Sequence, residues 1–214
     1  MMDLKVKNRI LSYLDQQYPN VGCELWYRKD YELLIAVVLS AQTTDQAVNQ
    51  VTPVLFRRFP SLTALAKATI KQIEDVIHTI GLFRTKAKHI HELTNILIRD
   101  YQGRVPSDKA SLTSLPGVGN KTANVVRAEI FKIPEIAVDT HVHRLARRLG
   151  FTKKNDDVKV TEAKLRKAIP ESRYIQLHHQ MIHFGRYACK AKKPLCQTCG
   201  LFAYCKEPNK NLEK

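Results

Sequence analysis

The most chemically loaded stretch of this sequence is Leu115-Pro116-Gly117-Val118-Gly119-Asn120-Lys121. Pro116 stops a short helix expected over 108–115 with Ser107 as its cap, and a second helix follows over 120–131. Gly117 and Gly119 permit backbone angles and close approaches that a Cβ forbids. Val118 between them can plug the space between the two helices. Free N–H groups of the loop then point outward at a helix start, which suits backbone phosphate and is blind to base identity. Lys121 falls in the first turn of the second helix. The helix dipole disfavours a cation there and so favours the neutral amine that a nucleophile requires. Taken alone, Lys121 reads better as a phosphate-binding or solvated lysine, and the glycines read as a turn between packed helices.

A carboxylate opens another helix. Val138-Asp139-Thr140-His141 precedes a basic helix running to Leu149, and Asp139 is a natural N-cap. The same carboxylate, if it faces Lys121, could take a proton from the amine and stabilise positive charge on a sugar whose bond is breaking. His141 and His143 flank Val142 and point in different directions. His179 and His183 share a helix face, but no Glu completes a zinc-protease signature, so all of these read as structural.

Four of the five cysteines crowd together as Cys189-x6-Cys196-x2-Cys199-x5-Cys205. In an intracellular setting two disulfides are disfavoured, and the spacing is too compact and regular for chance thiols. Four thiolates on short loops can close around one ion or one cubane cluster. Zinc is the default for four cysteines, usually through two C-x2-C knuckles. A single C-x2-C with wider arms favours a [4Fe–4S] cluster instead. The first arm carries Lys190, Lys192 and Lys193, a basic loop suited to phosphate. Cys23, far away, reads as a buried small residue.

The elements that must position these groups are helical almost throughout. Apolar spacing predicts helices over 4–14, 45–59 with Asp45 as N-cap, 62–67, around Ile73 to Ile80 with Gly81 as the stop, and 86–101. Residues 31–39 are apolar nearly all round and predict a buried helix, though nine residues could also be a strand. No alternating run of useful length and no hairpin dipeptide occurs. The fold class expected is all-α.

Composition sets the outer limits. Of 214 residues, 44 % are hydrophobic, which rules out wholesale disorder. The run 31–39 is far too short to span a membrane, and Asp3, Lys5, Lys7 and Arg9 interrupt any secretory signal. The net charge is +15, and it is uneven: +1 over residues 1–23, +5 over 24–132 and +9 over 133–214. Such an excess suits a polyanion, with a solvated surface or an acidic partner as the alternatives.

Taken in order, the run from Leu115 to Val126, Val138 to His141 and the C-x6-C-x2-C-x5-C tail closely resemble the endonuclease III family. These are DNA glycosylase/AP lyases of the helix-hairpin-helix superfamily. The likeness extends to Leu39 to Asp45 and Thr79 to Leu82, and so to almost the whole chain. It implies two all-helical domains: a six-helix barrel over 24–132, with the helix-hairpin-helix at 107–131, and a second domain of 1–23 plus 133–214 with the [4Fe–4S] cluster loop at 189–205. By matched position, Lys121 would be the Schiff-base nucleophile and Asp139 the catalytic carboxylate. Cys189, Cys196, Cys199 and Cys205 would hold the cluster. Gln42 would fill the gap left by a flipped nucleotide, and Leu82 would wedge into the base stack. Gly117, Val118, Gly119, Lys121, Lys190, Lys192 and Lys193 would grip phosphates. Asn120 stands where many relatives carry a basic residue, which implies one weaker phosphate contact. Adenine-removing relatives lack a lysine at position 121, so Lys121 argues for lyase activity.

The activity implied is excision of oxidised pyrimidines of the thymine glycol type, followed by β-elimination 3′ to the abasic site. The partner would be double-stranded DNA with a damaged base or abasic site, met by a monomer in the cytoplasm, with the nucleoid, of a bacterium. A mismatch-specific or monofunctional glycosylase and a non-catalytic DNA-binding or electron-transfer module are the competing readings.

Overall fold

The computed structural model describes residues 2–212; the ends of the expected second domain at Met1, Glu213 and Lys214 lie outside the described residues. Contacts divide the chain into two units, Glu24–Ile133 and a discontinuous one of Met1–Cys23 with Pro134–Lys214. The described residues contain helices and turns and no strand.

The first helix, α1 (Leu4–Gln17), is capped by Asp3, which accepts from Lys5 N–H. The contiguous unit then runs from α2 (Asp30–Leu39) through α3 (Asp45–Arg58), α4 (Leu62–Lys67), α5 (Ile70–Ile77), α6 (Phe83–Tyr101) and α7 (Lys109–Ser114) to α8 (Asn120–Phe131). The expected six-helix barrel thus carries seven helical segments, of which α4 and α7 have six residues each. The 31–39 run is a helix and not a strand, with every residue from Tyr31 to Leu39 buried. Glu32, buried with it, accepts from the N–H groups of Arg28 and Lys29 and so closes the helix start. α2 packs against α3, α6 and α8 and forms the centre of this unit.

Several boundaries differ from expectation, each for a local reason. Thr44, not Asp45, caps α3, its hydroxyl accepting from Ala47 N–H at 3.2 Å. Asp108, not Ser107, caps α7 through Ser111 N–H at 2.8 Å. α5 stops at Ile77, and Gly81 does not end it. The left-handed residue in that connection is Leu82 at φ 59°, and α6 begins directly after it, three residues before the expected start.

The discontinuous unit continues with α9 (Thr140–Arg148), α10 (Val158–Ala168) and α11 (Tyr174–His183), then a π-helical turn over Phe184–Ala188 that leads into the cysteine loop. Ile10, Leu11 and Leu14 of α1 share one core with Val142 and Leu145 of α9, Leu177 and Met181 of α11, and Leu201. At the rim, Arg173 pairs with Asp15 and holds its carboxyl below the ordinary aspartate range. Cys23 is half-buried rather than buried.

Candidate functional site

Within the contiguous unit, α7 and α8 pack against one another across the Pro116–Gly119 turn. The two glycines there do different things. Gly117 has φ +77°, and a Cβ on it would lie 2.8 Å from His89 Nδ1 and 3.0 Å from Val38 Cγ1. Conformation and packing both require it. Gly119 has an ordinary φ of −91° as N-cap of α8, and a Cβ there would meet nothing within 4 Å. What Gly119 keeps open is the space outside the helix start. Val118 is buried as expected at 5 % exposure, and its N–H donates to Leu115 O at 3.1 Å. That bond closes the turn, with the Val118 side chain packed inside. Lys121 is exposed in the first turn of α8, two residues after Gly119.

Two loops of the same unit present the expected probe residues. Thr43 N–H donates to Ser40 O at 3.1 Å, closing a turn whose third residue, Gln42, has φ 53° and is exposed. Leu82, at φ 59°, is 58 % exposed although it is a large apolar residue. Among the described residues, five non-glycine residues are left-handed: Gln42, Leu82, Gln102, Lys132 and Lys193. Gln102 and Lys132 are helix C-caps, where this conformation is routine. The other three are positions named as DNA contacts, and such strain gathers where function demands it.

In the discontinuous unit, Asp139 caps α9 as expected, with Oδ1 accepting from Val142 N–H at 2.8 Å, and it is half-buried. His141 accepts at Nδ1 from Arg144 (3.2 Å), and burial pushes its imidazole below the ordinary histidine range, so it stays neutral. Arg144 also donates to Gly185 O at 2.8 Å and to Cys189 O at 3.2 Å. One turn later Arg148 donates to Lys190 O (2.7 Å) and Cys189 Sγ (3.3 Å), with Glu207 at 3.1 Å as its counter-ion. One helix thus presents a carboxylate at its start and clasps the cysteine loop near its end. His143 bonds Thr161 at 2.9 Å, and His178 and His179 are buried.

Cys189, Cys196, Cys199 and Cys205 line a single cavity whose other walls include Phe184, Pro194, Leu195 and Phe202. None is in a disulfide. Burial pushes the Cys189 and Cys199 thiols up, while Arg148 opposes this at Cys189. Among the described residues no group of three or more His, Cys, Asp or Glu is placed to hold a lone metal ion. Four thiols around one apolar cavity, with a guanidinium at one sulfur, fit an anionic thiolate-bound group. Lys190, Lys192 and Lys193 are exposed on the first arm.

A family model described as the HhH-GPD superfamily base excision DNA repair protein matches residues 35–171. The chain belongs to this superfamily. Endonuclease III of Bacillus subtilis (strain 168) is 42 % identical over 100 % of this chain and 98 % of its own length. A solved non-covalent endonuclease III–DNA complex is 45 % identical with a TM-score of 0.93, covering 96 % of both chains. A trapped endonuclease III–DNA covalent intermediate matches at 45 % identity and TM-score 0.91, over 96 % of this chain and 97 % of that one.

For an HhH-GPD protein the sequence reading passed over the residues that support the named ones. Arg144 and Arg148 belong to the basic helix that follows Asp139, and their i, i+4 spacing on α9 marks one face. His89 under Gly117 carries no local signal. Lys86 does: it stands in phase with Ala87, Ile90, Leu93 and Leu97 on the buried face of α6.

Proposed function

We propose that this HhH-GPD protein is a bifunctional DNA N-glycosylase and AP lyase of base excision repair. It excises oxidised pyrimidines of the thymine glycol type and cuts 3′ to the abasic site by β-elimination. The observation that carries the reading is Lys121: an exposed amine in the first turn of α8, directly after a turn whose Gly119 leaves the helix start open. A phosphate held there would place the deoxyribose within reach of the Lys121 amine.

A lesion base must leave the stack before any group can reach its sugar, and a saturated, non-planar pyrimidine is the least costly to extrude. Leu82 would part the stack and Gln42 would occupy the vacancy. The hairpin, with Lys190, Lys192 and Lys193, would grip the backbone. As the bond from C1′ to the base breaks, positive charge grows on the sugar, and the Asp139 carboxylate stabilises it. The base leaves with the bonding pair and takes up a proton. Lys121 Nζ bonds to C1′, the sugar ring opens and a protonated imine forms. That imine acidifies C2′; loss of a C2′ proton expels the 3′ phosphate, and water then releases the amine.

The resident cofactor in this reading is a [4Fe–4S] cluster on Cys189, Cys196, Cys199 and Cys205, supported by their spacing and their common apolar cavity. When bound it supplies rigidity to the loop that carries the three lysines and no electron to the reaction. The purified protein is expected to be brown with acid-labile sulfide; colourless, zinc-binding protein would overturn this assignment. The partner is double-stranded DNA, met by one protein chain in the bacterial nucleoid. No helix among the described residues is long and apolar enough to cross a membrane.

Borohydride trapping on a duplex with one thymine glycol tests the reaction. A covalent adduct is expected with the native chain and none with Lys121→Ala. No adduct with the native chain, or one that survives Lys121→Ala, defeats the proposal.

A further inference from the structure

Lys86 is 4 % exposed, a nearly complete burial for a lysine. Its ammonium has three hydrogens to donate, and among the described residues its hydrogen bond is to Thr43 Oγ1, at 2.6 Å. Among the described residues no carboxylate forms a salt bridge with it. It also lies in the first turn of α6, where the helix dipole opposes a cation. Burial accordingly pushes its pKa down. A methionine would fill the same space without burying charge, so packing alone does not account for a lysine here.

Its connections supply an account. Lys86 N–H donates to Leu82 O at 3.0 Å, which fixes the turn that opens at left-handed Leu82. Lys86 Nζ reaches Thr43, the residue after left-handed Gln42, in the turn closed by Thr43 N–H on Ser40 O. Thr43 Oγ1 in turn lies 3.4 Å from Ala41 O, to which it donates. A single residue therefore joins the two exposed turns whose tips are the proposed stack-parting and gap-filling residues, through its backbone N–H at Leu82 and its side chain at Thr43. Both tips are in conformations that non-glycine residues avoid, and each needs its surroundings to hold it.

We infer that Lys86 is a positioning residue: through Thr43 it fixes the separation of the Gln42 and Leu82 turns so that both can enter the duplex together. This rests on the roles proposed for Gln42 and Leu82. An ammonium suits a strut better than a neutral group because its hydrogen bond to a hydroxyl is charge-assisted and short.

The test is single-turnover excision of thymine glycol by the full chain with its cofactor, on a paired duplex and on the same lesion in an unpaired bulge. A 2-aminopurine beside the lesion reports unstacking. Lys86→Met and Thr43→Val are each expected to slow excision from the duplex roughly tenfold, the scale of one charged hydrogen bond. The double variant should be no slower than Lys86→Met, since both remove the same strut. The 2-aminopurine rise should slow in parallel, and the loss on the bulge should shrink to less than about threefold, because little stacking remains to be broken. Thermal melts confirm folding, and Thr43→Val carries the test if Lys86→Met does not fold. A native rate for both single variants, multiplied losses in the double variant, or equal losses on duplex and bulge would overturn the strut. Gln42→Ala and Leu82→Ala separate the two readings. If both run at the native rate, the probe roles fail and the strut fails with them. If both slow the duplex reaction and Lys86→Met does not, the strut alone fails.

Discussion

In the proposed reading Asp139 carries two duties that a substitution can separate. One carboxylate oxygen caps α9 through Val142 N–H; the charge is what the sugar cation needs. Asn caps a helix about as well as Asp, whereas Ala forfeits about 1 kcal/mol. Asp139→Asn is therefore expected to melt with the native protein and excise at least about a hundredfold more slowly, the scale of a lost transition-state charge contact. Asp139→Ala should lose both activity and about 1 kcal/mol in denaturant unfolding. Equal activity in Asp139→Asn would reduce the residue to a cap. At this scale the helix-start position of Lys121, the capping by Asp139 and the common cavity of the four cysteines were legible, because their signals are local: a helix start, a cap, a spacing. The left-handed backbone at Gln42 and Leu82 was not, since a glutamine and a leucine give no sign of positive φ. Lys86 was visible as a charge on an apolar phase, but its partner, 43 residues away in sequence, was not.

Elements bounded by strong punctuation were read to the residue. α4 sits between Ser61 and Ala68, and α8 begins directly after Gly119. Elements whose start depends on a distant contact were misplaced, as with α6, which opens on Leu82 instead of at Lys86. The helix-hairpin-helix also separates two kinds of glycine that the sequence presents as alike. Gly117→Ala forces a Cβ into left-handed backbone against His89 and Val38 and should cost about 1–3 kcal/mol in unfolding. Gly119→Ala meets nothing, should cost under about 1 kcal/mol, and should nonetheless weaken DNA binding because its methyl stands where a phosphate would approach. Parallel denaturation and duplex titration of the two variants check this. The reverse pattern, with Gly117→Ala stable or Gly119→Ala binding as the native chain does, would contradict the division of labour.

For the whole molecule, the net charge of +15 is the quantity to interrogate. If the three exposed lysines of the cysteine arm grip phosphates, binding should fall linearly in log–log form with added salt, and each Lys→Ala at 190, 192 or 193 should flatten the slope by about 1. A slope unchanged in the triple variant would return those lysines to ordinary surface charge. The all-helical class and the division near residues 23 and 133 follow from periodicity and family likeness, whereas the arginine clasp on the cysteine loop depends on tertiary contacts that no local pattern announces.

The division has a consequence for the order in which the molecule is made. Residues Glu24–Ile133 form one unbroken unit, complete once that stretch has left the ribosome. α1 is synthesised before that unit, yet Ile10, Leu11 and Leu14 have their core partners as far along the chain as Leu177, Met181 and Leu201. At about 5–20 residues per second that leaves the apolar face of α1 uncovered for about 10–40 s. α1 is thus made before the contiguous unit but buried after it, and the unit with the cysteine loop closes only once Leu201 has emerged. A ribosome that stalls after residue 133 therefore leaves the Glu24–Ile133 unit complete and the apolar face of α1 without its core partners.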